Sequence, residues 1–155
     1  MIVVDVNVLV AAAIASHPYH AVARRFLEDA LTAGEVAVPD VVWSGFVRTV
    51  TNAAVADPPP TWDAVRTFVG AVRGHPGYRA DVRGLVSSID SLVALCQRLD
   101  LRRNLVSDAH VAMVAADHNA AVATFDTDFD KMPVAVIHPP LSGAGTDSRP
   151  APPTR

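Results

Sequence analysis

The chain has 155 residues, half of them apolar, a formal charge of −3 and a single cysteine. That length suits one domain whose core needs no covalent staples, and Cys96 by itself cannot build a disulfide framework. The small negative charge is no nucleic-acid signature, no apolar run reaches transmembrane length, and the N-terminus opens without a basic leader, so a non-exported, cytoplasmic protein is expected.

Residues 1–10 are an apolar, largely β-branched run interrupted by Asp5 and Asn7. Consecutive apolar positions of this kind predict a strand buried on both faces, as in the centre of a parallel sheet. A carboxylate there is costly unless it lies at the strand end, where open α/β sheets place their ligands. From these ten residues, Asp5 reads equally well as a site residue or as a cap for the following turn.

Residues 19–33 predict an amphipathic helix, with Val22, Ala23, Phe26, Leu27, Ala30 and Leu31 on one face. Gly34 supplies a left-handed stop, and Val36 to Val38 a second strand, which opens a βαβ unit. Asp40 is placed to cap the next helix, whose face is Trp43, Phe46, Val47 and Val50. Asp57-Pro-Pro-Pro60 is a rigid break, after which Thr61 caps a helix with the face Val65, Phe68, Val69 and Val72. Tyr78 to Val82 suggests a short edge strand, and Ser87 or Ser88 opens a fourth helix that runs through Leu99. Cys96 sits among Leu92, Leu95 and Leu99 and reads as a core residue.

A fifth helix is expected to start near Ser107 or Asp108 and to carry Val111, Ala112 and Ala115 on the face of Asp108. Asn119 stands where a helix takes a left-handed cap. Ala121 to Thr124 reads as a strand, Asp126 to Lys131 as a polar turn and Val134 to Ile137 as a last strand. The domain therefore spans 1–141. Residues 142–155 are rich in Gly, Ser, Thr and Pro, a composition that predicts disorder.

In this arrangement Asp5, Asp108, and Asp126 with Asp128 all fall at strand carboxyl ends or helix starts, which share one rim of a doubly wound sheet. Each reads singly as a cap or turn residue; together they favour a site. Carboxylates within roughly 5 Å of one another cannot all stay ionised, and one pKa rises unless a cation intervenes. Oxygen-only donors point to Mg²⁺ or Mn²⁺ rather than zinc, and such an ion can activate water for attack on a phosphodiester.

Four segments in order carry a family resemblance: Val4-Asp-Val-Asn-Val-Leu9, Gly45-Phe-Val-Arg-Thr-Val-Thr-Asn52, Asn104-Leu-Val-Ser-Asp-Ala-His-Val-Ala112 and Ala123-Thr-Phe-Asp-Thr-Asp-Phe129. Through them the chain resembles a PIN domain, specifically the VapC toxins of bacterial toxin–antitoxin pairs. The resemblance implies an α/β PIN-like fold, a parallel sheet flanked by helices on both faces in three α/β/α layers. It implies a Mg²⁺-dependent endoribonuclease in which Mn²⁺ may replace Mg²⁺, a homodimer, and a cognate VapB antitoxin whose C-terminal segment occupies the active-site groove. Asp5, Asp108 and Asp126 match the family's metal-binding, catalytic acids, and Asp128 a further acidic position of more variable role. Asn7 and Thr124 match polar residues that orient carboxylates or water.

Gly45 departs from the pattern, which has a glutamate in the second helix. A mid-helix glycine costs about 1 kcal/mol relative to alanine, so helix propensity does not explain it. Asp40, one turn earlier, could stand in for the acid or simply cap the helix. The loss weighs against a second metal more than the first, and one well-held Mg²⁺ is expected. It also leaves open an alternative function, a non-catalytic RNA- or protein-binding module. Arg48 is the preferred RNA-phosphate contact, ahead of Arg24, Arg25, Arg102 and Arg103, which read as solvated helix faces. The six histidines lack zinc-site spacing, and neither a Walker loop, a dinucleotide-binding glycine pattern nor a nucleophile elbow at Ser44 is present.

Overall fold

The computed structural model describes residues 1–141; the tail expected to be disordered lies outside the described residues. Strand β1 (Ile2–Val4) is paired on one side with β2 (Val36–Ala37) and on the other with β3 (Ala121–Ala123), and β4 (Val136–Ile137) flanks β3. All three pairings are parallel, in the order β2-β1-β3-β4. Helices cover both faces, giving the expected three-layer α/β/α PIN-like architecture. Val3, Val4, Val122 and Ala123 are wholly buried, as the central strands of a two-sided parallel sheet require.

The opening segment is shorter as a strand than its composition predicts. Pairing ends at Val4, and helix α1 (Val6–Ala13) takes over, with Val8, Leu9, Val10, Ala11 and Ala12 all buried. A helix packed on nearly every side needs no polar face, so its sequence looks like that of a buried strand. Asp5 is the pivot: its backbone is extended, its N–H still donates to the Ala123 carbonyl, and its side chain caps α1.

Helix α2 (His20–Thr32) and the left-handed Gly34 lie where periodicity puts them. Helix α3 (Asp40–Val50) buries Val42, Phe46 and Val50. Asp40 is its first residue rather than its side-chain cap; Pro39 occupies the cap position. Thr61 caps α4 (Trp62–Arg73) through its hydroxyl, which accepts from the Ala64 N–H at 3.2 Å. The anticipated edge strand at Tyr78 reduces to a single parallel bridge with Val36. Ser88 caps α5 (Ile89–Leu99), where Leu92 and Leu95 form a second small cluster with Ala109, and Cys96 packs beside it.

Helix α6 (Asn104–Asp117) begins a full turn before the expected start. Positive φ at Asp100 and Arg103 ends α5 and redirects the chain, so the next helix opens at Asn104 and Asp108 stands one turn inside it. Asn119 has the expected left-handed φ, and a 3-10 turn (Thr127–Lys131) fills the polar segment after β3.

The strand order sets the location of the site. From β1 the chain crosses outward to β2, then returns past β1 to add β3 and β4 on the opposite side. The carboxyl ends of β1 and β3 therefore flank the point where the winding reverses, the crevice in which open α/β sheets bind ligands.

Candidate active site

Asp5 leaves β1 at this point, and Thr124 leaves β3 directly across from it. Both are buried, at 5% and 0% exposure, and each would be costly there without partners. Asp5 Oδ1 accepts the Val6 N–H at 2.6 Å, while Oδ2 accepts from Asn7 Nδ2 at 2.7 Å and from Thr124 Oγ1 at 2.8 Å. The Thr124 hydroxyl also accepts from Asn7 Nδ2 at 2.8 Å and from the Asp126 N–H at 3.0 Å. One donor and two acceptor positions are then all in use. Asn7 Oδ1 accepts the Phe125 N–H at 3.1 Å. Asn7 thereby ties both edges of the crevice together, and the turn after β3 is held by the residue that orients Asp5.

Asp126 extends this turn: its Oδ1 accepts the Asp128 N–H at 2.8 Å. With Asp5 and Asp108 it lines an open cleft of about 660 Å³. Helix α3 presents Val41, Ser44, Gly45, Arg48 and Thr49 to this cleft, and α6 presents Asn104, Ser107, Asp108 and Val111. Both sets follow the three-and-four spacing of one helix face. Asp128 is outside this lining and pairs with Lys131 Nζ at 2.5 Å.

The electrostatics follow from the crowding. Burial pushes the Asp5 carboxyl upward; the bonds from Thr124 and Val6 oppose that shift, and the Asp126 charge adds to it. Asp108 is pushed up to about 6, first by burial and then by Asp5, Asp126 and Asp128. Among the described residues, Asp5, Asp108 and Asp126 have no ion-pair partner. Also among the described residues, no three His, Cys, Asp or Glu side chains are grouped closely enough to hold a metal ion as they stand. The donor set nevertheless fits a hard divalent cation: it consists of oxygen ligands, carries unbalanced negative charge and opens to water.

Asp40 does not join the acids. It is exposed and lines a separate hollow with Trp43, Tyr78 and Arg83. Gly45 has a steric explanation instead: a Cβ there would stand 2.7 Å from Val6 Cγ2, so α3 approaches α1 where only a bare Cα fits. Arg48 is exposed on the cleft and has no ion-pair partner among the described residues, whereas Arg24, Arg25 and Arg102 pair with Glu28, Asp29 and Asp100. His110 is partly buried outside the cleft lining, and burial lowers its pKa. Sequence reasoning passed over Asn104, Ser107, Thr49 and Tyr19 as cleft residues. The helical spacing of Asn104 and Ser107 with Asp108 was the available signal for two of them.

The model of the PIN domain family matches residues 2–135. The chain belongs to the PIN-domain family, in its VapC group. Ribonuclease VapC25 of Mycobacterium tuberculosis is 35% identical over 144 residues, covering 91% of this chain and all of the relative. Ribonuclease VapC43 of the same organism is 34% identical over 153 residues, covering 92% of this chain and 97% of that protein. Among solved structures, a chain of the crystal structure of VapBC2 from Rickettsia felis, bound to a DNA fragment from their promoter, superposes with a TM-score of 0.62. That match is 16% identical and covers 89% of this chain and 98% of its counterpart, a likeness of fold.

Proposed function

We propose that this PIN domain is an endoribonuclease dependent on a divalent cation, Mg²⁺ or Mn²⁺, and acts as the toxin of a type II toxin–antitoxin pair. The observation that carries the reading is the convergence of Asp5, Asp108 and Asp126 on one cleft, with their negative charge unbalanced by any ion pair among the described residues. Relatives that span the whole fold are named ribonucleases.

In this reading Asp5, Asp108 and Asp126 hold the cation, with Asp128 at its edge. When bound, the cation would balance their charge and lower the pKa of a water molecule, so that its hydroxide form is available to attack phosphorus. Asn7 and Thr124 keep the Asp5 carboxylate in one orientation, since both donate to the same oxygen. Arg48 neutralises an RNA phosphate entering the cleft. The partner is a small VapB-type antitoxin whose C-terminal segment occupies the cleft, the toxin is a homodimer, and the pair works in the cytoplasm. No helix among the described residues is long and apolar enough to cross a membrane.

Gly45 favours a second reading, a binding module that has lost turnover, because the position has no acid to contribute. Incubating the purified protein and an Asp5→Ala control with total RNA, with and without Mg²⁺, separates the two. Mg²⁺-dependent cleavage by the parent alone supports the enzyme. Equal background from both proteins, with RNA still bound, would move the assignment to the binding module.

A further inference from the structure

Three aromatic rings line the acidic cleft beside the carboxylates, and the chemistry of the acids makes no use of them: His17, Tyr19 and Phe125. Tyr19 and Phe125 are in contact, with ring centres 5.0 Å apart at a tilt of 39°. His17 meets Tyr19 edge-on at 5.7 Å, and its Nδ1 accepts the Tyr19 N–H at 3.1 Å. Tyr19 remains 39% exposed although two rings support it. Phe125 packs against the main core, whereas the Tyr19 ring lies outside it and is the part of the pair that folding does not account for.

The platform is also held in register with the acids. Phe125 precedes Asp126, and its N–H is held by Asn7, which holds Asp5 through its other end. From the other side, His20 Nδ1 stands 3.0 Å from the Ala11 carbonyl and ties the loop of Tyr19 to α1. An aromatic surface one residue from a carboxylate centre, with Arg48, unpaired among the described residues, in the same cleft, matches how proteins seat unpaired nucleic acid: cations take the backbone and rings take the bases.

We propose that Tyr19, backed by Phe125 and His17, is a stacking platform for one unpaired nucleobase next to the phosphate that is cut. This rests on the ribonuclease reading and assigns Tyr19 the base contact within that site. A paired helix cannot offer a base face to Tyr19 without first opening.

A single-stranded oligoribonucleotide carrying 2-aminopurine at successive positions tests the platform. Binding is measured with Ca²⁺ in place of Mg²⁺ on the full chain, its Tyr19→Leu variant and its Tyr19→Phe variant. The expected result is a fluorescence change confined to one position, abolished by Tyr19→Leu and kept by Tyr19→Phe. Affinity should fall by roughly 5- to 150-fold in Tyr19→Leu, the span seen for removal of one base-stacking ring. An abasic nucleotide at the reporting position should weaken the parent and leave Tyr19→Leu unchanged. If the RNA is bound and cut while no position reports and Tyr19→Leu binds like the parent, the platform is wrong and the nuclease reading stands. An effect of Tyr19→Leu on capture of a protein segment, with RNA binding unaltered, would equally overturn it. Absence of RNA binding by the parent would overturn both.

Discussion

Thr124 has a hydroxyl that donates to Asp5 and accepts from Asn7 and from the backbone of Asp126, at full burial. Its loss would leave three polar groups short of a partner at once. An unsatisfied buried group typically costs about 1–3 kcal/mol, so Thr124→Val, which keeps the shape, should lower unfolding stability by about 2 kcal/mol. Thr124→Ser should retain most of it. Urea denaturation of the two variants checks the claim, and equal midpoints for Val and Ser would mean that the hydroxyl network contributes little. RNA cleavage should follow the same order, because the orientation of Asp5 depends on the same bonds.

At the scale of elements, the contact between α1 and α3 determines what position 45 can be. A Cβ at Gly45 would overlap Val6 Cγ2 at 2.7 Å, and a β-branched valine has little freedom to turn away. Alanine would gain about 1 kcal/mol of helix propensity, yet overpacking typically costs about 1–3 kcal/mol. Gly45→Ala is therefore expected to destabilise by about 1 kcal/mol. Combined with Val6→Ala, the same change should become favourable, giving a coupling of about 1 kcal/mol or more in a double-mutant cycle. Strict additivity would show that the helices separate freely. The contact also means that Gly45→Glu would place an acid in the cleft at the expense of helix packing, so simple restoration of the family's glutamate should not raise activity in proportion.

For the whole molecule, the acid cluster links stability to pH and, in the proposed function, to cations. The folded pKa of Asp108 lies above its unfolded value, so the folded chain binds more protons and stability falls as pH rises through about 6. Asp5 is shifted the same way by burial. His138, raised by its bond to Asp130 and then by the Thr124 carbonyl, adds a slope of the same sign: its contribution is present at low pH and lost as pH rises. His110, lowered by burial, contributes the opposite slope, but it stands alone against Asp108, Asp5 and His138, so with EDTA the thermal midpoint should drop between pH 5 and pH 7.5. In the proposed function Mg²⁺ would compete with protons for the carboxylates, so its stabilising shift should be larger at pH 7.5 than at pH 5. A Mg²⁺ shift independent of pH would separate the cation from these acids, and calorimetry without any Mg²⁺ or Mn²⁺ binding would remove it.

Much of this protein is legible in its residues, because amphipathic periodicity reports which face of an element is buried. The helices at 20–32, 62–73 and 89–99, the left-handed stops at Gly34 and Asn119, and the parallel sheet all follow from local pattern. Asp5, Asn7 and Asp126 stand out for the same reason, since polar groups in or just after apolar strands need partners, whereas Thr124 is marked only by the family resemblance. Local pattern failed where burial removed it. Val6–Ala13 is apolar on nearly every side, so strand and helix could not be told apart, and the early start of α6 depended on two residues with positive φ. Only the tertiary structure decided that Asp5 is both helix cap and cleft carboxylate, that Gly45 fits α3 against Val6, that Asp40 stands apart, and that Tyr19 meets Phe125. Apart from the Asp5 cap, which is local, these depend on segments distant in the chain or on packed helices, and local spacing carries no record of them.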